Sequence, residues 1–364
     1  MPPGLQKTLQ EMSGRVPSWL EASDRDENGI VISTSVRLAR NLHGHNFPLH
    51  ADEAELEEVL EKTWAACSAI EPLADSYRMP LQDLPWEDKR FLVERHLISP
   101  AMSEIEGPAG VTIGPGECLS IMVNEEDHIR LQQVAAGMAG EETWSVLEAV
   151  DDALGRELPY AYREPYGYLT ASPINVGTGL RVSVLVHLPA LVLTSEVEAV
   201  LRHATQHGVQ VRGVHGEGSS VYGNLFQVSN QLTLGRSEAD ILDSLQRVAG
   251  LLTDHEQEAR STLWHEARLQ LEDKIHRSLG LLSSARVLSI RESMNLLSAV
   301  RLGVNMGVLS GVEISRLDVL MILTQPSHLD RREGRVLDPS ERDMLRAELV
   351  RSRIDASGGT TSHE

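Results

Sequence analysis

The chain has 364 residues, enough for one large domain or two of ordinary size, and its 41% hydrophobic and 24% charged residues are typical of globular proteins. Its formal net charge of −20, from 53 acidic against 33 basic residues, argues against nucleic acids or anionic membranes as partners and favours basic ones. Two cysteines, Cys67 and Cys118, are too few for a disulfide framework or a thiolate metal site. The N-terminus lacks the apolar segment of a signal peptide, and the longest apolar run is well short of the ~20 residues of a membrane span, so we expect a cytoplasmic protein.

The first third of the chain alternates polar turns with short strands. Residues 1–29 are polar and turn-rich, with one short amphipathic stretch around Trp19. The elements predicted after them are a strand at 30–38, a surface helix at 52–70, a turn at 107–116 and a short strand at 118–123. The last strand leads into V-N-E-E-D-H-I-R at 123–130, where three carboxylates in a row suit neither a strand nor a core. That charge needs a chemical reason.

The middle third is richer in strands. Its predicted elements are a helix at 141–154, a buried strand region at 181–193, a helix at 195–207 that ends at Gly208, and strands at 209–214 and 224–234. Strands separated by short glycine loops, without a regular βαβ repeat, are typical of a largely antiparallel sheet covered by helices on one side. The sequence therefore predicts an α+β fold.

After Gly235 the pattern becomes helical. The predicted helix starts are Ser237 with Asp240, Ser289 with Glu292, and Asp338 with Glu341, the last helix running to about residue 354. The predicted organisation is a short N-terminal segment at 1–29, a sheet-and-helix domain at 30–240, a helical module at 241–354 and a disordered tail at 355–364.

Four segments combine arginine with glycine or small polar residues. They are 33–40, 124–130, 175–181 and 211–218, and they place Arg37, Arg130, Arg181 and Arg212 at strand ends beside turns. A surface arginine near a turn explains any one of them alone. Together they suit a polyphosphate, because guanidinium groups bind two oxygens at once and keep their charge. The chain has no G-x-x-x-x-G-K-[ST] and no kinase glycine loop with H-R-D, so a nucleotide site here must be built by arginines from separate strands.

The same segments carry a family resemblance. S-T-S-V-R, N-E-E-D-H-I-R, N-V-G-T-G-L-R and R-G-V-H-G-E are similar to motifs of the phosphagen kinase (ATP:guanido phosphotransferase) superfamily, in the same order over nearly the whole chain. The stretches at 93–100, 187–194, 320–326 and 342–347 resemble its bacterial protein-arginine kinases rather than the small-molecule enzymes. The resemblance implies a phosphagen-kinase-like catalytic domain at 30–240, ATP and Mg²⁺ as cofactors, and transfer of the γ-phosphate to arginine side chains of proteins.

An arginine substrate gives the acidic cluster its chemical reason. A guanidinium has a pKa of about 12.5–13.8, so one carboxylate must hold it and another must accept a proton as its nitrogen attacks phosphorus. The resemblance implies that Glu126 holds the guanidinium and that Glu217 is the base. We expect Glu125, Asp127 and His128 to hold the loop, with His128 a hydrogen-bonded structural histidine.

The resemblance also implies a nucleotide site, in which Arg37, Arg130, Arg181 and Arg212 surround the ATP phosphates and Mg²⁺ bridges them. His96 would line this site, although a structural role is its other interpretation. The implied ATP-binding residues are Ser33, Thr34, Ser35, Val36, Arg37, His96, Arg130, Arg181, Val182, Ser183, Val184, Leu185, Arg212, Gly213, Val214, His215, Gly216 and Glu217.

Two positions depart from the family pattern. Ser35 stands where the family has the first arginine of S-[ST]-R-[VI]-R, so one phosphate-binding guanidinium is absent. Loss of one charge-assisted hydrogen bond of about 1.5–3 kcal/mol slows transfer about ten- to a hundredfold. Ser172 stands where the family usually has a cysteine before the proline, which argues against thiol-linked control there.

The last predicted helix carries R-D-M-L-R-A, formed by Arg342, Asp343, Met344, Leu345, Arg346 and Ala347. Spacing alone predicts a solvated ion pair between Asp343 and Arg346, worth about a few tenths of a kcal/mol. The resemblance instead implies a phosphoarginine-binding motif, separate from catalysis, on a helical module that mediates dimerisation.

The resemblance implies a role in marking proteins for degradation and in stress regulation. The implied partners are proteins with exposed arginines (a stress-response repressor, misfolded proteins), Clp-type protease machinery, a zinc-binding activator protein and a second copy of the chain. Two alternatives stay open. A kinase for free arginine would carry a helical N-terminal domain, whereas 32 residues precede Ser33 here. A weakly active or degenerate member would act as a phosphoarginine-binding regulatory adaptor, which Ser35 favours.

Overall fold

The computed structural model describes residues 3–21, 28–213 and 221–354. Its helices are α1 (Pro3–Ser13), α2 (Ser18–Glu21), α3 (Glu53–Ser68), α4 (Trp86–Glu94), α5 (Pro100–Ser103), α6 (Gly140–Glu157), α7 (Pro189–Leu193), α8 (Val197–Thr205), α9 (Glu238–Glu266), α10 (Arg268–Ser284), α11 (Ile290–Asn305), α12 (Ile314–Leu323), α13 (Pro326–Glu333) and α14 (Pro339–Ile354). Its strands are β1 (Val31–Arg40), β2 (Tyr77–Pro80), β3 (Gly110–Ile113), β4 (Leu119–Val123), β5 (Ile129–Ala136), β6 (Tyr162–Arg163), β7 (Gly167–Tyr168), β8 (Leu180–His187), β9 (Val209–Gly213) and β10 (Leu225–Asn230).

Eight strands form one sheet in the order β2-β3-β4-β5-β1-β8-β10-β9, and β6 and β7 form a separate hairpin. The pairs β2–β3, β3–β4, β4–β5 and β1–β5 are antiparallel. The predicted α+β fold is therefore confirmed, with a mainly antiparallel sheet flanked by helices and a helical C-terminal region. None of the helices in these described ranges is long and apolar enough to cross a membrane.

Several predicted elements have different bounds in the structure. The predicted turn at 107–116 contains β3, because four residues there pair with both β2 and β4. The predicted strand region at 181–193 divides into β8 and α7, since Pro189 occupies the first turn of a helix, where its missing N–H costs nothing. Residues 1–29 contain α1, and β2 and β5 were not predicted.

The predicted helix starts have the expected capping contacts. Ser237 and Asp240 cap each other, each backbone N–H donating to the other's side chain. The N–H of Glu292 donates to Ser289 Oγ (3.2 Å). At the last helix the N–H of Glu341 donates to Asp338 Oδ1 (2.9 Å), and the N–H of Asp338 to Glu341 Oε2 (3.1 Å). These side chains satisfy N–H groups that have no partner inside the helix.

The described chain folds as two compact units. The first contains Met1–Trp19, Ser33–Ser183 and Ser229–Gln246, and the second Leu20–Ile32, Val184–Val228 and Arg247–Glu364. The first has an apolar core that includes Leu9, Met79, Phe91 and Val111. The domain boundaries read from the sequence stay a prediction.

A buried ion pair lies in each unit. In the first, Arg95 donates two hydrogen bonds to Glu117, at 2.6 and 2.7 Å. In the second, Arg301 donates to both carboxylate oxygens of Asp318, at 2.7 and 3.3 Å. Buried charges persist only where a partner of opposite charge compensates for the lost hydration, so these arginines stabilise the native arrangement.

Candidate active site

The register of β1 and β5 brings two of the predicted arginines together in the first unit. Arg37 pairs with Gln132 and Ala39 pairs with Arg130, so Arg37 and Arg130 project from the same face of neighbouring strands. Arg37 Nε donates to Gln132 Oε1 at 2.8 Å. Gln132 therefore fixes the orientation of the Arg37 guanidinium.

Arg181, at the start of β8, contributes a third positive charge to this face. The pKa of Arg37 is lowered to about 9, first by burial and then by the charges of Arg130 and Arg181. Glu125 acts in the opposite direction. Arg181 Nη2 donates to Ser229 Oγ at 3.1 Å. We call Arg37, Arg130 and Arg181 the arginine cluster.

The acidic loop between β4 and β5 is tied to this cluster by Glu125. Arg130 Nη1 donates to one oxygen of Glu125 at 2.6 Å, and Ser99 Oγ donates to the other. Glu125 thus neutralises part of the cluster and cannot at the same time hold an incoming guanidinium. Glu126, the next residue, is exposed.

Two further residues of the loop are held by hydrogen bonds. Asp127 Oδ1 accepts from Asn41 Nδ2 and from the N–H of Ala171, both at 2.6 Å. Burial nevertheless raises the pKa of Asp127. His128 Nδ1 accepts from the N–H of Leu42 at 3.1 Å, and Nε2 lies 2.9 Å from the Asn46 carbonyl. This pattern requires the proton on Nε2.

His128 is fully buried, and burial lowers its pKa to about 4, so the ring is neutral at physiological pH. The expectation that Glu125, Asp127 and His128 hold the loop is confirmed by these contacts. Asn124 adds to them, because its Nδ2 donates to the carbonyls of Leu56 and Pro108, both at 2.7 Å. The loop is rigidly anchored and presents Glu126 outward.

His96 lies beside the cluster through Gln132. Gln132 Nε2 donates to the His96 carbonyl at 2.5 Å, and His96 has a left-handed backbone with φ of 61°. Its ring meets Trp19 edge to face, with centroids 5.9 Å apart. The structure thus places His96 one hydrogen-bonded side chain away from Arg37.

Strand alternation divides the other predicted residues of β1. Ser33, Ser35 and Arg37 share one face. Ser35 Oγ is buried and makes no hydrogen bond within the described part of the chain. Thr34 Oγ1, on the opposite face, donates to the Gly137 carbonyl and accepts from the N–H of Ala139. Val36 is fully buried.

The predicted ATP-binding residues of β8 are mostly buried. Val182, Ser183 and Val184 are buried, and Leu185 is half-buried. The N–H of Val182 donates to Asn230 Oδ1 at 2.8 Å. The contact of these residues with a nucleotide stays a prediction.

Not every predicted site residue can be related to the cluster. Arg212 and Gly213 end β9 in the second unit and are exposed. Val214, His215, Gly216 and the predicted base Glu217 lie outside the described residues.

The predicted phosphoarginine motif lies on α14 in the second unit. Arg342 binds both oxygens of Asp330, at 2.8 and 2.6 Å. Arg346 is 1% exposed and donates to the carbonyls of Thr324 and Leu288 and to Asp343 Oδ1, at 2.9, 2.8 and 2.5 Å. The expectation of a solvated ion pair was wrong, because Arg346 is buried. Leu345 is half-buried and Ala347 buried, whereas Met344 is exposed.

Three contacts of the site were not predicted from the sequence. Gln132 lies two residues after Arg130, and strand alternation could have placed both on one face. Ser99 and Ser229 come from distant segments and carry no local signal.

Comparison with known proteins agrees with this geometry. A family model described as ATP:guanido phosphotransferase, C-terminal catalytic domain, matches residues 56–259. The structure of a taurocyamine kinase from Schistosoma mansoni, with bound transition-state-analogue components, superposes with a TM-score of 0.58 at 24% identity, covering 75% of this chain and 40% of that one. A lombricine kinase structure gives 0.56 at 24% identity, covering 69% and 71%. The chain belongs to the ATP:guanido phosphotransferases and has their fold.

A narrower assignment follows from the rest of the chain. A family model of the protein-arginine kinase McsB C-terminal domain matches residues 268–364. A protein-arginine kinase of Symbiobacterium thermophilum is 43% identical over 350 residues, 95% of this chain and 99% of that one. One from Moorella thermoacetica is 44% identical over 343 residues, 93% and 98% of the two chains. Within its superfamily, the chain belongs to the protein-arginine kinases.

Proposed function

We propose that this protein transfers the γ-phosphate of ATP to arginine side chains of other proteins. The observation that carries the proposal is the arginine cluster, joined through the Arg130–Glu125 ion pair to a rigid loop that presents Glu126. The arginine cluster, which suits an anion, and the loop with Glu126, which suits a cation, are thus adjacent in one unit. That is the arrangement that transfer of a phosphoryl group to a guanidine requires.

The cluster fits the polyphosphate of ATP. The charges of Arg130 and Arg181 lower the pKa of Arg37, and phosphate oxygens lying between these guanidinium groups would stabilise them. Arg37, fixed by Gln132, and Arg181, fixed by Ser229, would hold and orient the phosphates. In the described ranges, no group of three or more His, Cys, Asp or Glu side chains could hold a metal ion. Mg²⁺ bound to the ATP phosphates would neutralise part of their charge.

The carboxylates would act on the arginine substrate. Glu126 is exposed, and the loop is held by its neighbours instead. Its two carboxylate oxygens would bind the guanidinium of the substrate. Glu217 would accept the proton that the attacking nitrogen loses. In this step an N–P bond forms, the bond between the γ-phosphorus and the bridging oxygen breaks, and ADP leaves with that electron pair.

Incubation with ATP, Mg²⁺ and an unstructured protein tests the proposal. We expect acid-labile, base-resistant phosphate on arginine, identified by mass spectrometry, and no phosphorylation of free arginine. Glu217→Gln should retain nucleotide binding and lose nearly all transfer, because the shape stays while the proton acceptor is removed. Phosphate on serine or threonine, or strong turnover of free arginine, would contradict the proposal.

A second function is favoured by one observation, the serine at position 35. The family's first arginine is absent there. The protein would then catalyse transfer only weakly, bind nucleotide or phosphoarginine, and act as a regulatory adaptor. Binding of ATP without measurable arginine phosphorylation, under the conditions above, would favour this function.

For the α14 motif we propose phosphoarginine recognition. Asp343 is partly exposed and could bind a guanidinium, while Arg342, part-exposed beside Asp330, could turn to a phosphate. Calorimetry with free phosphoarginine should show binding that Asp343→Ala abolishes. Binding that survives Asp343→Ala and disappears in Glu126→Ala would show that the motif has no such role.

We further propose that the helical module mediates dimerisation and that the protein acts in the cytoplasm. Marking of misfolded proteins or a stress-response repressor for Clp-type proteases, with a zinc-binding activator, extends the same proposal. Membership of the protein-arginine kinases supports these partners, and the free thiols of Cys67 and Cys118 are typical of a reducing compartment such as the cytoplasm. Co-purification with and without Mg²⁺–ATP would test these partners.

A further inference from the structure

Five of the large apolar side chains of the first unit that are at least half exposed lie on three neighbouring segments of the chain. They are Tyr162 (56%), Tyr166 (50%), Ile174 (52%), Leu232 (61%) and Leu234 (53%). They come from the β6–β7 hairpin, the loop before β8 and the loop after β10. Exposed apolar side chains are ordinary when scattered, whereas a connected group of them indicates an interaction surface. We call these five residues the apolar patch.

Hydrogen bonds from one side chain and a close approach of two backbone segments join the two loops of the patch. Thr233 Oγ1 lies 2.9 Å from the Ile174 carbonyl and 2.7 Å from that of Val176. Gly177, with φ of 114°, packs so closely that a Cβ there would lie 2.9 Å from the Cα of Leu234. The loops carrying Ile174, Leu232 and Leu234 therefore form one structural element.

The hairpin is attached to the same element. Gly177 and Tyr168 exchange backbone hydrogen bonds, at 2.8 and 3.3 Å. The Tyr168 ring meets that of Tyr162 edge to face, with centroids 5.3 Å apart. The hairpin and the two loops are thus joined in one structural element.

The patch is anchored by the residues that anchor the acidic loop. Asn41 Nδ2 donates both to Asp127 Oδ1 and to the Leu169 carbonyl, and the Asn41 carbonyl accepts from the N–H of Ala161. Asp127 Oδ1 also accepts from the N–H of Ala171. A single hydrogen-bonded network therefore fixes the bases of the patch and the loop that carries Glu126.

Negative charge lies beside the hairpin that carries part of the patch. Near Tyr168, Arg40 is paired with Asp151, and the carboxylates of Asp152 and Glu238 lie in addition to that pair. With the net charge of −20 on the chain, this negative charge favours a basic partner and disfavours a second copy of the same acidic protein.

We propose that the apolar patch binds apolar side chains that flank the acceptor arginine in a polypeptide substrate. The proposal rests on the proposed function, because it takes Glu126 as the position of that arginine. A segment bound in this way places its arginine at the acidic loop and its apolar neighbours on the hairpin and loops. Arginines flanked by leucine, isoleucine or tyrosine would be preferred over those flanked by serine or glycine.

Two fluorescent peptides test this preference. Each carries one arginine, flanked by leucine and tyrosine in one peptide and by serine and glycine in the other. For the wild-type protein we expect a Kd by anisotropy, and a KM for phosphorylation, about tenfold lower for the apolar peptide. Ile174→Ser/Leu232→Ser should bring the Kd and KM values of the two peptides to within about twofold of each other.

A matched control replaces two exposed apolar residues of the same unit outside the patch. Leu49→Ser/Val146→Ser should keep the wild-type preference. A wild-type protein that treats both peptides alike, or a patch variant that keeps the preference, would overturn the proposal. So would a change in sedimentation of the patch variant alone, which would identify a second copy as the occupant.

The two proposals can fail separately. If both peptides bind with the same Kd and both are phosphorylated, the proposal for the patch is wrong and the proposed function stands. A tenfold binding preference that the patch variant loses, without phosphorylation of either peptide, would support the patch and contradict the proposed function.

Discussion

The arginines of the cluster and the arginines of α14 lie in different electrostatic surroundings. Arg37 lies beside Arg130 and Arg181, and its pKa falls to about 9. Arg342 instead binds both oxygens of Asp330, and Arg346 donates to two carbonyls and a carboxylate. Neighbouring like charges destabilise a fold until an anion binds, whereas matched charges stabilise the fold itself.

The comparison separates Arg37, whose nearest charges include two other arginines, from Arg342 and Arg346, which are each paired with a carboxylate in the free protein. Within the cluster Arg130 has such a partner, Glu125. The surroundings of Arg37 are those of an arginine that gains most when an anion binds. The first of the following predictions alters the cluster, the second alters α14, and the others refine the comparison.

The largest effect is expected for Arg37→Met. Methionine retains much of the volume and removes a charge that would stabilise the transferring phosphoryl group. We expect kcat/KM for protein phosphorylation to fall by at least about a hundredfold, measured from initial rates. Gln132→Ala, which releases Arg37 without removing it, should cause a smaller fall. A near-normal kcat/KM for Arg37→Met would contradict the assignment of Arg37 to the phosphate site.

Arg346→Met should act on stability. The change leaves the Thr324 and Leu288 carbonyls without this donor and Asp343 without its ion-pair partner. A loss of about 3 kcal/mol in the free energy of unfolding is expected, from denaturant titration. Met344→Ser, at an exposed position of the same helix, is the control and should change it by less than about 0.5 kcal/mol.

Ser35→Arg adds a guanidinium to the face of β1 that carries Arg37. If the family arrangement is otherwise intact, transfer should rise or ATP should bind more tightly, by about tenfold. The free protein should become less stable, since a fourth positive charge joins the cluster. An unchanged rate and ATP affinity would mean that another cation already replaces the missing arginine.

The smallest effect is expected for the pH dependence of stability that the neutral ring of His128 gives the acidic loop. Because the pKa of His128 is lowered from 6.5 to about 4, the unfolded state binds more protons in that interval. The stabilisation by His128 is therefore complete above about pH 6.5 and decreases as the pH falls toward 4. His128→Gln should have a lower free energy of unfolding than the wild type at pH 7. The difference between the two proteins should be smaller by about 1–2 kcal/mol at pH 4.5. A difference that does not depend on pH would contradict this sign.

Much of the fold follows from local sequence signals. The capping residues Ser289 and Asp338 start helices where predicted, and Asp52 does the same for α3, accepting from the N–H of Glu55. Such signals depend on neighbours within one helical turn, so the sequence displays them directly. β3 was missed because its pairing with β2 and β4 depends on distant residues.

The candidate site was predictable in part for the same reason. Arginine, glycine and carboxylate motifs indicated the residue types, but the register of β1 with β5 decides which arginines meet. The role of Gln132 depends on that register. The burial of Arg346 depends on Thr324 and Leu288, which lie 22 and 58 residues away. Sequence spacing on one helix therefore gave the wrong environment for Arg346.

The central claim is that the arginine cluster is held at an electrostatic cost that ATP removes. Thermal unfolding of the wild-type protein and Arg37→Met, each with and without ATP, tests it most directly. Without ATP, the variant should melt close to or above the wild type, because relief of repulsion offsets loss of the Gln132 hydrogen bond. With ATP, the wild type should gain several degrees and the variant much less. An Arg37→Met protein that melts far below the wild type without ATP, yet gains as much from ATP, would contradict the account.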